Sequence, residues 1–307
     1  MFSKTPLSKK TSEVLRDFRS LIILFLVFGL SACASSFLNP GTPTPLIPTF
    51  TPIPPTATPP PSVAIVNGEY ILVQEFQSEL ARYKTAQTAL GKTITDQDAN
   101  RIVLEDMISQ ALLAQSAREA NFEVTESDLK ARMDALANQI GGAEALSAWL
   151  SSHGYDQISF QIALKRSVEA AWMRDKIIAD MPKTMEQIHL RQILAYNEAK
   201  ARAALEELKA GTDFDIIAAR SDPFTLGELG WVPRGYLLDA KADEVVFALQ
   251  AGQYSDVITT EAGFHIFKVV ERGNHALAPD ALLVMQELAV KKWLDEKRAS
   301  SNIVLAP

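Results

Sequence analysis

Two rhythms of apolar positions run through this chain. From residue 63 the pattern alternates: Val63 and Ile65, then Asn67-Gly68, then Tyr70 and Leu72. This predicts a short hairpin closed by a tight turn. The period then lengthens to that of a helix. Residues 75–90 form one helical pattern, and 96–121 form the clearest, with Ile102, Val103, Met107, Ile108, Ala111 and Leu112 on one face. Asn121 suits its C-terminal end. Thr125 followed by Asp128 predicts the next start, because a Thr with an acid three residues on satisfies free amides of a first turn. That helix runs to about residue 140 and stops at Gly141-Gly142; two more, over 144–153 and 159–181, stop at Gly154 and Pro182.

Beyond residue 184 the rhythms mix. Strands are predicted over 188–195, 228–232, 257–259 and 264–271, and helices over 197–210, 213–219 and 244–249. The fold class is α+β: a small antiparallel-rich sheet with flanking helices, joined to a helical domain. A last amphipathic stretch, 279–300, carries Leu282, Leu283, Met285, Leu288 and Trp293.

The N-terminus reads as an address. Basic residues precede the apolar run 21–30, LIILFLVFGL, which is shorter than the ~20 residues of a membrane span and fits the core of an export signal. Leu30-Ser31-Ala32-Cys33 resembles the bacterial lipobox, which implies cleavage before Cys33, acylation of its thiol and anchorage to a lipid bilayer outside the cytoplasm. Ten of residues 39–62 are proline and none is charged, so this stretch is an extended tether reaching on the order of 70 Å. The expected organisation is a signal over 1–33, a tether over 34–62, a helical domain over 63–183, the α+β unit over 184–274 and a C-terminal helix and tail over 275–307.

Charge and cysteine content narrow the chemistry. The formal charge is −7 overall and +3 over the first 33 residues, so the remainder carries −10. A body that acidic is repelled by phosphate backbones, and no nucleic-acid partner is expected. A single cysteine excludes an intrachain disulfide, and the four histidines lack the spacing of zinc motifs, so neither metal nor cofactor is expected.

Residues 187–272 open on QIHLRQILA, turn at GELGW and close on GFHIFKVVER. This order resembles the parvulin (PpiC-type rotamase) family of peptidyl-prolyl isomerases. VNGEYILVQEF, IVLEDMISQALLAQSAREANFEVTESDL and LSAWLSSHGYDQISFQIAL resemble the N-terminal domain of SurA/PrsA-type extracytoplasmic foldases. The resemblance implies an isomerase unit inserted in a helical chaperone domain, with the 279–300 helix packing back on the latter. It implies partners in unfolded polypeptides bearing X–Pro bonds. It also assigns roles. His265 matches the family histidine, Thr260 its hydroxyl partner, and Asp222 falls near the position of a Cys or Asp. Leu229, Leu238, Ala242, Phe247 and Phe264 line the proline site. The family's first-strand histidine is replaced by Gln192, and its pocket phenylalanine by Ala242. Gln192 still hydrogen-bonds, so a Gln192–His265 pair is expected. His189 lies on the other face of its strand and is not expected to substitute. Two functions stay open: a lipid-anchored prolyl isomerase and foldase, or a chaperone module that keeps the isomerase fold with little turnover.

Overall fold

The computed structural model describes residues 59–306. The export signal, Cys33 and nearly all of the tether lie outside the described residues.

The chain begins with the predicted hairpin: β1 (Ser62–Val66) and β2 (Glu69–Leu72) pair antiparallel around Asn67-Gly68, both at positive φ. Five helices follow: α1 (Val73–Ala89), α2 (Asp96–Glu119), α3 (Glu126–Ile140), α4 (Ala143–Ser152) and α5 (Gln157–Ala179). Thr125 and Asp128 close the expected capping box at the start of α3, and Asp156 with Ser159 forms a second at α5. The α2 stripe buries Val103, Met107, Ile108, Ala111 and Leu112 against Ala64, Val66 and Ile71 of the hairpin. A second core joins Leu129, Met133 and Leu136 of α3 to Leu146, Leu150, Phe160 and Leu164.

The α+β unit follows. It comprises β3 (Thr184–Ala195), α6 (Glu198–Lys209), α7 (Phe214–Ser221), β4 (Glu228–Pro233), α8 (Ala240–Ala248), β5 (Ile258–Thr260) and β6 (Gly263–Ala276). Its sheet has the order β4-β3-β6-β5, all neighbours antiparallel. Each face has its own core. Ile188, Leu190, Val232, Phe267 and Val269 meet Ala242, Val246 and Phe247 of α8. Ile193 and Ile266 meet Ala204, Leu205 and Leu208 of α6 and Phe214, Ile217 and Ala218 of α7 on the opposite face. That division follows from alternation: 192 and 193, or 265 and 266, point opposite ways.

The chain then returns, as expected. Helix α9 (Pro279–Ala299) packs on α2 and α5, with Leu294 against the hairpin core. A strand that the sequence did not announce, β7 (Ile303–Leu305), pairs antiparallel with β1 and completes a three-stranded sheet in the order β2-β1-β7. No helix among the described residues is long and apolar enough to cross a membrane.

A candidate prolyl site around His265

The end of the sheet where β3, β5 and β6 meet carries the candidate chemistry. Leu194 and Ile258 flank His265 in the ladders on either side of β6. Only 7% of His265 is exposed. Its Nδ1 lies 2.9 Å from Gln192 Oε1 and its Nε2 2.8 Å from Thr260 Oγ1. The amide oxygen can only accept, so Nδ1 carries the proton and donates it, and the Thr260 hydroxyl donates to Nε2. Thr260 also accepts from the Ala262 amide at 3.1 Å, so it fixes the tight β5–β6 turn as well as the ring. Phe267 stacks on the imidazole, centroids 5.1 Å apart and planes 6° from parallel. The expected Gln192–His265 pair is thus formed, and both ring nitrogens are engaged inside the protein.

Burial holds the His265 pKa below its ordinary 6.5, opposed by the carboxylate of Asp239. The imidazole is therefore neutral at pH 7. A histidine depressed in the fold binds its proton later than in the unfolded chain. Its contribution to stability is present above the unfolded value and falls away as pH drops from 6.5 through the depressed folded value. The ring resonances of His265, followed by NMR, should titrate below 6.5; titration at or above that value contradicts the buried, neutral state.

Gln192 is held by the neighbouring loop. Its backbone N–H donates to Gly227 O at 2.8 Å. Gly227 has φ +74°, and a Cβ there would sit 2.1 Å from Gln192 O, so only glycine lets the loop approach this closely.

The other sequence-predicted residues do not all converge. Leu229 is half-buried against the core beneath α8. Ala242 and Phe247 are core residues, 2% and 6% exposed, because the helical period turns 242, 246 and 247 toward the sheet; they wall the interior rather than an open pocket. Leu238 is the reverse, 76% exposed ahead of the first turn of α8. Phe264 falls on the face opposite His265 by strand alternation. Asp222 serves its own loop: it accepts from the amides of Phe224 and Thr225, at 3.0 and 3.2 Å, and from the Thr225 hydroxyl at 2.5 Å. The hydroxyl bond foremost holds its carboxyl below the usual range, so it remains an acceptor within the turn. His189 stays away as expected, although the β3–β6 register shifts beside it. Its Nε2 meets Glu228 Oε1 at 2.6 Å and its ring stacks on Trp231.

Two neighbours of the site escaped sequence reasoning. Asp239 caps α8 by accepting from the Ala242 amide at 2.8 Å, and it is the charge that His265 feels. The signal was there, an Asp three residues before Ala242, but the helix was placed to begin at 244. Phe267 was hidden for a simpler reason: residues two apart on a strand share a face, and 267 read only as core.

A cleft of about 510 Å³ opens elsewhere on this unit, between Lys241 and Val245 of α8, Leu249 just beyond it, and residues 254–259. None of the sequence-predicted site residues lines it.

Two family models match the chain: the SurA-like N-terminal domain over residues 53–144 and the PPIC-type PPIASE domain, Rotamase, over 183–271. The chain joins a SurA-like N-terminal domain to a PpiC-type rotamase domain. The His265 site, from Gln192 to Phe267, lies wholly within the rotamase match. Among curated relatives, Chaperone SurA of Alcanivorax borkumensis is 26% identical over 250 residues, covering 70% of this chain and 57% of the relative. Foldase protein PrsA of Caldanaerobacter subterraneus subsp. tengcongensis is 25% identical over 225 residues, covering 67% and 72%. The chain thus spans little more than half the length of the SurA relatives it matches. A solved structure of the peptidylprolyl isomerase PrsA from Bacillus anthracis aligns at 19% identity and a TM-score of 0.39, covering 64% of this chain and 96% of that one.

Proposed function

We propose that this protein is an exported peptidyl-prolyl cis–trans isomerase that assists the folding of polypeptides outside the cytoplasm. The observation that carries this reading is the neutral His265 imidazole, held between Gln192 and Thr260 inside a PpiC-type rotamase domain.

The chemistry needs no nucleophile. The planar X–Pro amide is stabilised by resonance that places partial charge on its oxygen, and rotation costs ~18–20 kcal/mol. Water solvates that charge in the planar form; the twisted form has less to solvate. His265 is uncharged and its nitrogens are already bonded within the protein, so it offers the carbonyl oxygen little solvation. In this reading its small exposed edge, backed by the buried Phe267, makes a surface of low polarity that disfavours the planar amide relative to the twisted one. Such differential binding accelerates the rotation. Leu229 and the exposed Leu238 supply apolar contacts for the prolyl ring in this reading.

A signal ending at Cys33 supports placing the body on a membrane as an acylated lipoprotein, spaced by its proline-rich tether. A fatty-acid label that is lost in Cys33→Ala is the expected outcome.

A second reading has its own support. Gln192 stands where the family has a histidine, and the imidazole it holds has no titratable partner in hydrogen-bond contact. This favours a polypeptide-binding chaperone with little turnover. Refolding of a protein limited by slow X–Pro isomerisation separates the two. The isomerase accelerates the slow phase, whereas a chaperone without turnover raises the refolded yield at an unchanged rate.

A further inference from the structure

The sheet of the rotamase domain ends on a strand with no outer neighbour. In the order β4-β3-β6-β5, β5 stands last. The segment just before it lies along the same side of β6: the Gly252 N–H donates to Val269 O at 2.7 Å and the Val269 N–H to Gln253 O at 3.0 Å. These ladders fix which main-chain groups face outward. Phe267 directs both of its groups at Ser255, its N–H to Oγ at 3.0 Å and its C=O to the N–H at 2.8 Å. By alternation along β6, His265 and Gly263 also turn their main chain toward β5, while Phe264 turns toward β3. Thr259, opposite Phe264, is left with its N–H and C=O on the outer edge. Tyr254, opposite Lys268 and between the bonded residues Gln253 and Ser255, is left in the same way. Among the described residues, no segment pairs with this outer edge.

Helix α8 builds the facing wall. Ala242, Val246 and Phe247 meet the sheet, so Lys241 and Val245, with Leu249 just beyond the helix, make a stripe at four-residue spacing along its flank. Between this stripe and residues 254–259 lies the cleft of about 510 Å³. Val245 and Leu249 are half-buried against the core. Across from them, Tyr254 and Thr259 share the far face of the sheet with Lys268 and Phe264, since directly opposed residues share a face. What they bring to the cleft is the edge of the strand. One wall is thus apolar side chain and the other main chain without partners, the two features with which a sheet edge takes up an extended peptide. Asp256 and Val257 together stand opposite Ile266, between the pairs 255/267 and 258/265, so the edge is bulged and pairs only over a short stretch. The cleft also leads to the imidazole. Ile258 is the ladder partner of His265, and Thr260, next to Thr259, lies 2.8 Å from its Nε2. His265 shares a face of β6 with Phe267, which packs on α8, so ring and cleft lie on the same side of the sheet.

We propose that this cleft is a second polypeptide site, filled by an extended segment that flanks an X–Pro bond. The segment pairs its main chain with the edge at Thr259 and Tyr254 and lays an apolar side chain against Val245 and Leu249. These contacts do not involve the proline. They select unfolded chain with a leucine- or valine-like side chain a few residues from it, and they hold that chain while the proline reaches His265. Folded clients, whose main chain is already paired, are refused. Only the reach to His265 rests on the prolyl-isomerase reading; the docking does not.

The test uses the intact chain and the peptide Ala-Ala-Pro-Ala, alone and with Leu-Val-Leu placed before or after it. One of the longer peptides binds on the order of tenfold more tightly than the short one and adds NMR shifts at Val245, Leu249, Tyr254 and Thr259. Methylating the main-chain nitrogens of its Leu-Val-Leu part removes the gain. Thr259→Pro removes it as well, because proline deletes an N–H that faces outward, a change that edge strands tolerate. A urea midpoint equal to the parent's shows that the ladder to β6 is kept in this variant; where the midpoint falls, the methylated peptide decides. Equal affinities for all three peptides, or a gain that survives methylation, overturns the proposal. A concentration-dependent dimer that is lost in Thr259→Pro, with no gain from either longer peptide, assigns the edge to a second copy of the chain and overturns it too. Docking shifts without faster cis–trans exchange overturn the isomerase reading instead and leave the cleft as a polypeptide site.

Discussion

Arg118→Ala is expected to destabilise the helical region by about 3–5 kcal/mol, the cost of leaving a buried charge without its partner. The charge is Glu169, on α5, whose side chain is fully buried. Arg118, in the last turn of α2, reaches it at 2.5 Å and meets Glu69 Oε2 with its other terminal nitrogen at 2.7 Å. Beside them Arg166, 9% exposed, pairs with Glu75 and lies 3.6 Å from Glu69. This ionic cluster ties β2, α1, α2 and α5 together where an apolar core is interrupted. Lys165 stands 3.8 Å from Glu169 on the same helix, too far to replace the lost hydrogen bond. A paired change is expected to behave differently. Arg118→Met with Glu169→Leu removes both charges and should cost far less than Arg118→Ala alone, since apolar side chains of similar size avoid the desolvation of the pair. Urea unfolding followed by far-ultraviolet circular dichroism checks both. An Arg118→Ala midpoint equal to the parent's is incompatible with a buried, dependent Glu169.

The second large effect falls on turnover. His265→Ala should lower kcat/KM on an X–Pro peptide on the order of 100-fold, as expected if the site's low polarity contributes a few kcal/mol toward the twisted amide. Removing the ring leaves a gap between Phe267, Gln192 and Thr260, and a gap lined by polar groups takes up water. Water restores solvation to the planar carbonyl and with it the barrier. His265→Phe separates this mechanism from one that needs the imidazole's nitrogens. It keeps an uncharged ring in place and should retain roughly tenfold more activity than His265→Ala. Equal loss in the two variants points to the nitrogens instead. Both rates are read by magnetisation exchange on the same peptide.

Much of this fold was legible because its signals are local. The turn at Asn67-Gly68 and the capping box of Thr125 and Asp128 each lie within a few residues of what they determine. What was missed depends on distant partners. β7 is three residues long, too short for any period, and exists because β1 offers an edge some 240 residues earlier in the chain. β6 was expected to end at 271 but runs to Ala276, since residues 184–187 of β3 supply the partner that Gly273 and Asn274 alone do not suggest. The buried charge of Glu169 is similarly silent: its partner is Arg118, and nothing in the pattern around 169 marks it as interior.

The site divides along the same line. His265, Thr260 and Gln192 were named from the strand motifs, and the fold brings them within hydrogen-bond distance. The proposed pocket walls fared differently because a helix start was misplaced by four residues. Beginning α8 at 240 rather than 244 buries Ala242, leaves Leu238 outside and brings Asp239 to the cap. Asp222 was named by resemblance alone, and the turn around Phe224 and Thr225 occupies its carboxylate.

Exchange spectroscopy on a short Ala-Pro peptide with the intact chain tests the central claim most directly. The account predicts faster cis–trans exchange at catalytic protein concentrations, with peptide-induced shifts centred on Gln192, Leu229, Thr260 and His265. An exchange rate equal to that of the free peptide, with those four residues undisturbed, contradicts it.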